Sequence, residues 1–152
     1  MPPLPAEGGL VPWPAKEGPL NPVELAPVLG IGWSTPEQSG VWSLGARSEL
    51  LFRLASCADG TSLRVNILPF VGQEEQVVTA QANQGVTMSR RYRERSIDTL
   101  VIPIGNCNPS DPRVIVSFSV EKALSPLEIG ESGDTRPLGV LLIEAELLRR
   151  PR

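Results

Sequence analysis

A chain of 152 residues, 41% of them hydrophobic, has the size of one domain with one core. A net charge of −3 excludes the dominant basic face of a general nucleic-acid binder. Histidine is absent, which removes Ser-His-Asp and Cys-His catalysis, imidazole bases and most transition-metal sites.

From the N-terminus, residues 1–28 read as a proline-rich arm or linker. Pro2, Pro3, Pro5, Pro12, Pro14, Pro19, Pro22 and Pro27 preclude a continuous helix or ladder strand. The arm is expected to be extended, with Leu10, Val11 and Trp13 anchoring it in a surface groove and 23–29 forming a short edge strand. Residues 29–148 read as the domain proper, and 149–152 as a polar tail. A short strand is expected at Val41-Trp42-Ser43. From there hydrophobic residues alternate at the period of two that marks half-buried strands. Leu50, Phe52 and Leu54 form one inward row, and Leu63, Val65 and Ile67 the next. A strand over 76–82 follows, closed by Asn83-Gln84-Gly85, where Asn and Gly are expected to take positive φ. Val86, Met88 and Tyr92 return; then come Leu100, Ile102 and Ile104, then Val114, Val116, Phe118 and Val120. After an irregular loop at 125–136 with a helical turn near Pro126, the last row is Gly139, Leu141, Ile143, Ala145 and Leu147. About eight short strands and no long amphipathic helix predict an all-β fold, an antiparallel β-sandwich of jelly-roll type.

No run approaches the roughly 18 apolar residues of a bilayer span, and no charged segment followed by an apolar core marks a signal peptide. Membrane insertion is not expected. Cys57 and Cys107 each end an alternating run, just before a turn. They either pair as a disulfide or stay as buried thiols. The first state implies a periplasmic or other extracytoplasmic setting, the second a cytoplasmic one.

Gly32-Trp33-Ser34, Pro36-Glu37, Gly40-Val41-Trp42-Ser43 and Gly45, with Ser125-Pro126, Gly130, Asp134-Thr135-Arg136 and Leu138-Gly139-Val140, carry a likeness. Their pattern resembles the opening and closing segments of a β-sandwich domain appended to bacterial membrane glycosyltransferases and related envelope-polysaccharide proteins. The resemblance covers residues 30 to 147. Two departures stand out: Gln84 interrupts the Asn-Gly turn usual in such domains, and the proline-rich leader lies outside their pattern. The resemblance implies an accessory, non-catalytic module without a cofactor, partnered by carbohydrate or an envelope protein. An assembly protein using the arm and a sheet face for protein contacts is the alternative.

Trp33, Glu37, Asp134 and Arg136 are the candidate carbohydrate-binding residues. An exposed indole would stack on a sugar ring while the charged groups bond its hydroxyls, giving shallow, weak binding. Against this, Trp33 and Trp42 fill the sandwich end with their N–H groups bonded, and Glu37 forms a bidentate ion pair with Arg136 that locks the two motifs together. Trp42, Gly40 and Gly139 are assigned structural roles. Arg91, Arg93 and Arg95 share one strand face, as a basic patch for an anionic ligand or as a charged edge that resists sheet-to-sheet pairing. Residues 106–111 and Asp59 offer oxygen ligands, but the dense acidic spacing of a calcium loop is absent and no metal is assigned.

Overall fold

The computed structural model describes residues 11–14, 16–57 and 60–149. Leu10, Asp59 and the last residues of the tail lie outside the described residues. Eight strands follow in chain order: β1 Val41–Leu44, β2 Arg47–Arg53, β3 Ser62–Pro69, β4 Gln76–Ala82, β5 Met88–Tyr92, β6 Asp98–Pro103, β7 Arg113–Val120 and β8 Leu138–Leu148. They form two four-stranded sheets, ordered β1-β8-β3-β6 and β2-β7-β4-β5, and every pairing within them is antiparallel. Apart from the β4–β5 hairpin, each connection crosses from one sheet to the other, which is jelly-roll topology.

The period of two explains the layering. In β2, β3, β4 and β7 buried and partly exposed residues alternate, so each sheet turns one face inward. Leu50, Phe52, Ile67, Leu100, Phe118 and Leu142 meet between the sheets, fully or almost fully buried. Two buried polar side chains are both satisfied. Ser43 Oγ accepts the Val140 N–H at 2.8 Å. Gln76 accepts the Lys122 N–H at 2.9 Å and donates to the Phe70 carbonyl at 3.3 Å.

The segment expected as an arm is built into the sandwich. Residues 11–13 run beside β2, with Trp13 N–H donating to the Arg53 carbonyl and Arg53 N–H to Val11. Trp13 packs edge-on against Phe52, centroids 4.8 Å apart. The chain then crosses to the other sheet, where Leu20 exchanges both backbone hydrogen bonds with Ala145, and returns so that Gly30 and Ile31 pair with Glu49. Leu20, Leu25 and Val28 are buried in the core, a contribution of roughly 1.5–3 kcal/mol each. The edge strand expected over 23–29 is instead a turn and a 3-10 helix at Ala26–Val28. Pro22 and Pro27 remove ladder donors, and Asn21 and Glu24 cap one another: Glu24 N–H donates to Asn21 Oδ1 at 2.9 Å, and Asn21 N–H to the Glu24 carboxylate at 3.0 Å.

Candidate functional site: an amide-lined groove on the second sheet

At one end of the sandwich lie the two sequence motifs. β1 and β8 are neighbours, with Trp42 opposite Leu141 and Leu44 opposite Leu138, so the opening and closing motifs meet. Most of their residues fold the motifs themselves. Ser34 Oγ accepts the Trp42 N–H at 3.0 Å, and Glu37 and Gly40 exchange backbone hydrogen bonds around a tight turn. Gly40 has φ +154, and a Cβ there would meet Leu141 at 2.5 Å. A Cβ on Gly139 would meet Ser43 Oγ at 2.6 Å. In the closing loop, Ser125 and Glu128 form a capping box, the serine Oγ accepting at 3.1 Å and the carboxylate at 2.6 Å.

Of the candidate residues here, the side chains of Trp33, Asp134 and Arg136 are committed within the protein. Trp33 donates its indole N–H to the Glu49 carbonyl at 2.8 Å and lies edge-on to Phe118, centroids 5.9 Å apart. Trp42 lies outside the inter-sheet core; it stacks edge-on against Phe70 at 5.8 Å. Its place in sheet register opposite Leu141, which faces away from the core, explains why. The expected Glu37–Arg136 ion pair does not form. Arg136 instead clamps Asp134, Nε donating at 3.0 and 3.1 Å and Nη2 at 2.7 Å. Two residues of spacing on one loop bring a fork to a carboxylate without closing a long span, and Glu37 only adds a weaker electrostatic influence. The clamp holds the Asp134 carboxyl down to about 2, chiefly through the Arg136 hydrogen bonds.

The arginine cluster is not a shared basic face. β5 ends at Tyr92, so Arg93 and Arg95 leave the strand. Arg91 and Arg93 both reach Glu75, at 2.6 and 3.6 Å. Arg95 lies over the Phe70 ring, 4.3 Å from its centroid, donates to the Val71 carbonyl and forks onto Glu131. Tyr92 donates to Asp98 at 2.6 Å, and its hydroxyl pKa is raised, first by burial and then by that carboxylate.

At the other end of β7 lies a groove that the sequence reading did not single out. It encloses about 550 Å³ on the outward face of the second sheet. Arg47 of β2 and Ile115 and Ser117 of β7 supply its floor, with Gln81 of β4 beside them. The β4–β5 turn adds Asn83 and Gln84, and the β6–β7 loop adds Asn106, Asn108 and Asp111. Among the described residues, no aromatic lines it.

Its construction is specific. Asn83 leaves the strand with φ 49, and its side chain continues the ladder in the backbone's place: Nδ2 donates to the Arg113 carbonyl at 2.7 Å and Oδ1 accepts the Ile115 N–H at 2.9 Å. Gln84 follows at φ 62. The second left-handed position of the turn is therefore Gln84 and not Gly85. Gly85 serves a close approach: a Cβ on it would meet the Gly105 nitrogen at 2.9 Å, and one on Gly105 would meet Gly85 Cα at 2.6 Å. The two walls of the groove thus touch backbone to backbone. Asn106 sits next, at φ 47. Cys107 then bonds to Cys57 in a disulfide, Cα atoms 5.6 Å apart, tying the loop to the β2–β3 connection.

Asn83, Gln84 and Asn106 are the three non-glycine residues with positive φ among the described residues, and all three line this groove. Asparagine adopts left-handed backbone readily, whereas for Gln84 it costs about 1–2 kcal/mol, and such cost collects at functional sites. The side chains of Gln84 and Asn106 make no hydrogen bond within the protein among the described residues. They present unspent amide donors and acceptors to whatever enters.

The fold and the groove together define a jelly-roll β-sandwich with a polar cleft on one sheet. Matching solved structures include an acetyl xylan esterase from the rumen bacterium Butyrivibrio proteoclasticus. It superposes with a TM-score of 0.51 at 12% identity, over 89% of this chain and 34% of the esterase. A 4-O-methyl-alpha-glucuronidase with specificity for decorated arabinogalactans aligns with the same TM-score and identity, over 91% of this chain and 18% of its own. The chain thus spans about a third of the first and under a fifth of the second, and the likeness is one of fold. No family model matches the chain, and no curated protein matches it.

Proposed function

We propose that this protein is a non-catalytic carbohydrate-binding β-sandwich whose site is the groove on the second sheet. The observation that carries the reading is the convergence of five amide side chains on one cleft, with two of them unbonded and held on left-handed backbone. Planar amides offer a donor and an acceptor side by side, which suits the paired hydroxyls of a sugar ring. The occurrence of the same fold within a xylan esterase and an arabinogalactan-directed glucuronidase supports it. The likeness of the two motifs to accessory domains of envelope-polysaccharide machinery suggests a bacterial glycan as ligand. The disulfide fits an oxidising, extracytoplasmic compartment. The assembly alternative draws less support, since residues 11–13, 20 and 29–31 are spent on the protein's own sheet edges.

The test is an amide-resonance NMR titration of the full chain with bacterial and plant polysaccharide fragments, beside the Gln84→Gly/Asn106→Gly double variant. Saturable shifts at 81–84 and 106–117, weakened at least about tenfold in a variant of unchanged Tm, are expected. Shifts confined to Trp33, Glu37, Asp134 and Arg136 would move the site to the motif end. No shifts with any fragment would sink the carbohydrate reading.

A further inference from the structure

We infer that the groove selects an anionic saccharide, one carrying a carboxylate or a sulfate ester; this rests on the groove being the saccharide site. Without an aromatic platform in the lining, a neutral sugar has no ring to stack on. Its hydroxyls merely exchange water hydrogen bonds for protein ones, a small net gain. A charged acceptor changes this, because hydrogen bonds to an ionised group are roughly twice as strong.

The lining supplies the complementary cations. Two guanidiniums, Arg47 and Arg113, line the cleft, each with a carboxylate beside it, Glu49 for Arg47 and Asp111 for Arg113. Arg47 stands on the sheet opposite Ser119, and Arg113 opposite Arg53. They are six residues apart along β7, about 20 Å at strand rise, with the amides between them. Their present partners leave them different parts to play. Asp111 grips Arg113 through Nε at 2.8 and 2.9 Å and fixes its orientation. Arg47 uses Nη2 for Glu49 at 3.0 Å and Ser117 at 3.1 Å, and its side chain is 59% exposed. Its remaining N–H groups are the ones that can turn to an arriving anion. The geometry fits a saccharide lying along β7, its hydroxyls read by Gln81, Gln84 and Asn106 and an acidic substituent read by Arg47.

The experiment is calorimetric titration of the full chain with three oligosaccharides of equal length: a galactan, an oligogalacturonate and a sulfated galactan. Each is run at low and at 0.3 M salt, and each again with Arg47→Gln. An acidic oligomer is expected to bind at least about tenfold more tightly than the neutral one. The advantage should shrink with salt, and the ratio of acidic to neutral affinity should fall to about one in Arg47→Gln. Which acidic oligomer binds separates carboxylate from sulfate. Equal affinity for the neutral and acidic ligands at the groove would overturn the inference and leave the proposed function standing. An acidic preference that survives Arg47→Gln would overturn it too. Binding of none of the three would remove the inference, and with a negative NMR survey the carbohydrate reading as well.

Discussion

Asp134 and Gly32 show how single residues hold the motif end in shape. The Asp134 carboxyl, held down to about 2 by Arg136, favours the folded loop at every pH above the ordinary carboxylate range. That contribution fades as pH falls from the ordinary 3.8 through about 2. We expect NMR titration of its carboxyl to show a midpoint near 2, returning to the ordinary range in Arg136→Gln; an unmoved midpoint would show that the clamp is not the cause. Because the pair is exposed, the stability change is small. Gly32 is a harder constraint. At φ +83 a Cβ would lie 2.3 Å from the Arg47 carbonyl oxygen, with Ser48 also in its way. Its own carbonyl accepts from Ser48 Oγ at 2.7 Å. Gly32→Ala is expected to cost about 2–4 kcal/mol, from left-handed backbone plus displacement of the β2 strand, read as a lowered denaturant midpoint. A loss below about 1 kcal/mol would mean that the strand yields easily.

At the scale of elements, the β6–β7 loop carries one wall of the groove and is pinned by the disulfide and by the Gly85–Gly105 contact. Reduction is expected to cost about 4 kcal/mol, as for a loop closed over a separation of 50 residues. It should also weaken ligand binding beyond that loss of stability, because the wall bearing Asn106 and Asn108 loses its anchor. Denaturation and titration with and without reductant test both; unchanged affinity in the reduced, folded protein would free the groove from the disulfide. Elements were also where the sequence spoke most clearly. The inward rows of β2, β3, β6 and β7 mark the strands because alternation is a local property; the row expected in β8 is displaced, since Val140, Leu142 and Ala145 face the core in place of Leu141 and Ile143, across a register shift against β3. The groove was hidden because Arg47, Gln81, Asn106 and Ser117 are scattered in sequence and meet only through register. Gln84 drew notice only as an interruption of a hairpin turn, yet its φ of 62 places an unbonded amide at the cleft. The motif glycines and Asp134 were legible as a pattern. Which partner Arg136 would choose was not, since that depends on how the loop folds back on itself.

For the whole molecule, the N-terminal segment laps both sheets at one side of the sandwich. Prolines hid this from the sequence, because single bridges such as Leu20 with Ala145 need no strand pattern. Removing residues 1–28 would strip Leu20, Leu25 and Val28 from the core and bare part of the β2 edge. Such a truncation is expected to lose several kcal/mol and to self-associate, seen by denaturation and light scattering; a stable monomer would make the segment a mere covering. The topology has a temporal side as well. β8 lies between β1 and β3 and also holds Leu20, yet it is the strand that leaves the ribosome after all the others. Until residues 138–148 emerge, β1 has only the 32–34 segment beside it, and the first sheet has a gap where β8 belongs. The nascent chain therefore waits, its apolar rows uncommitted, and folding of this domain is a late event that follows synthesis of its final strand.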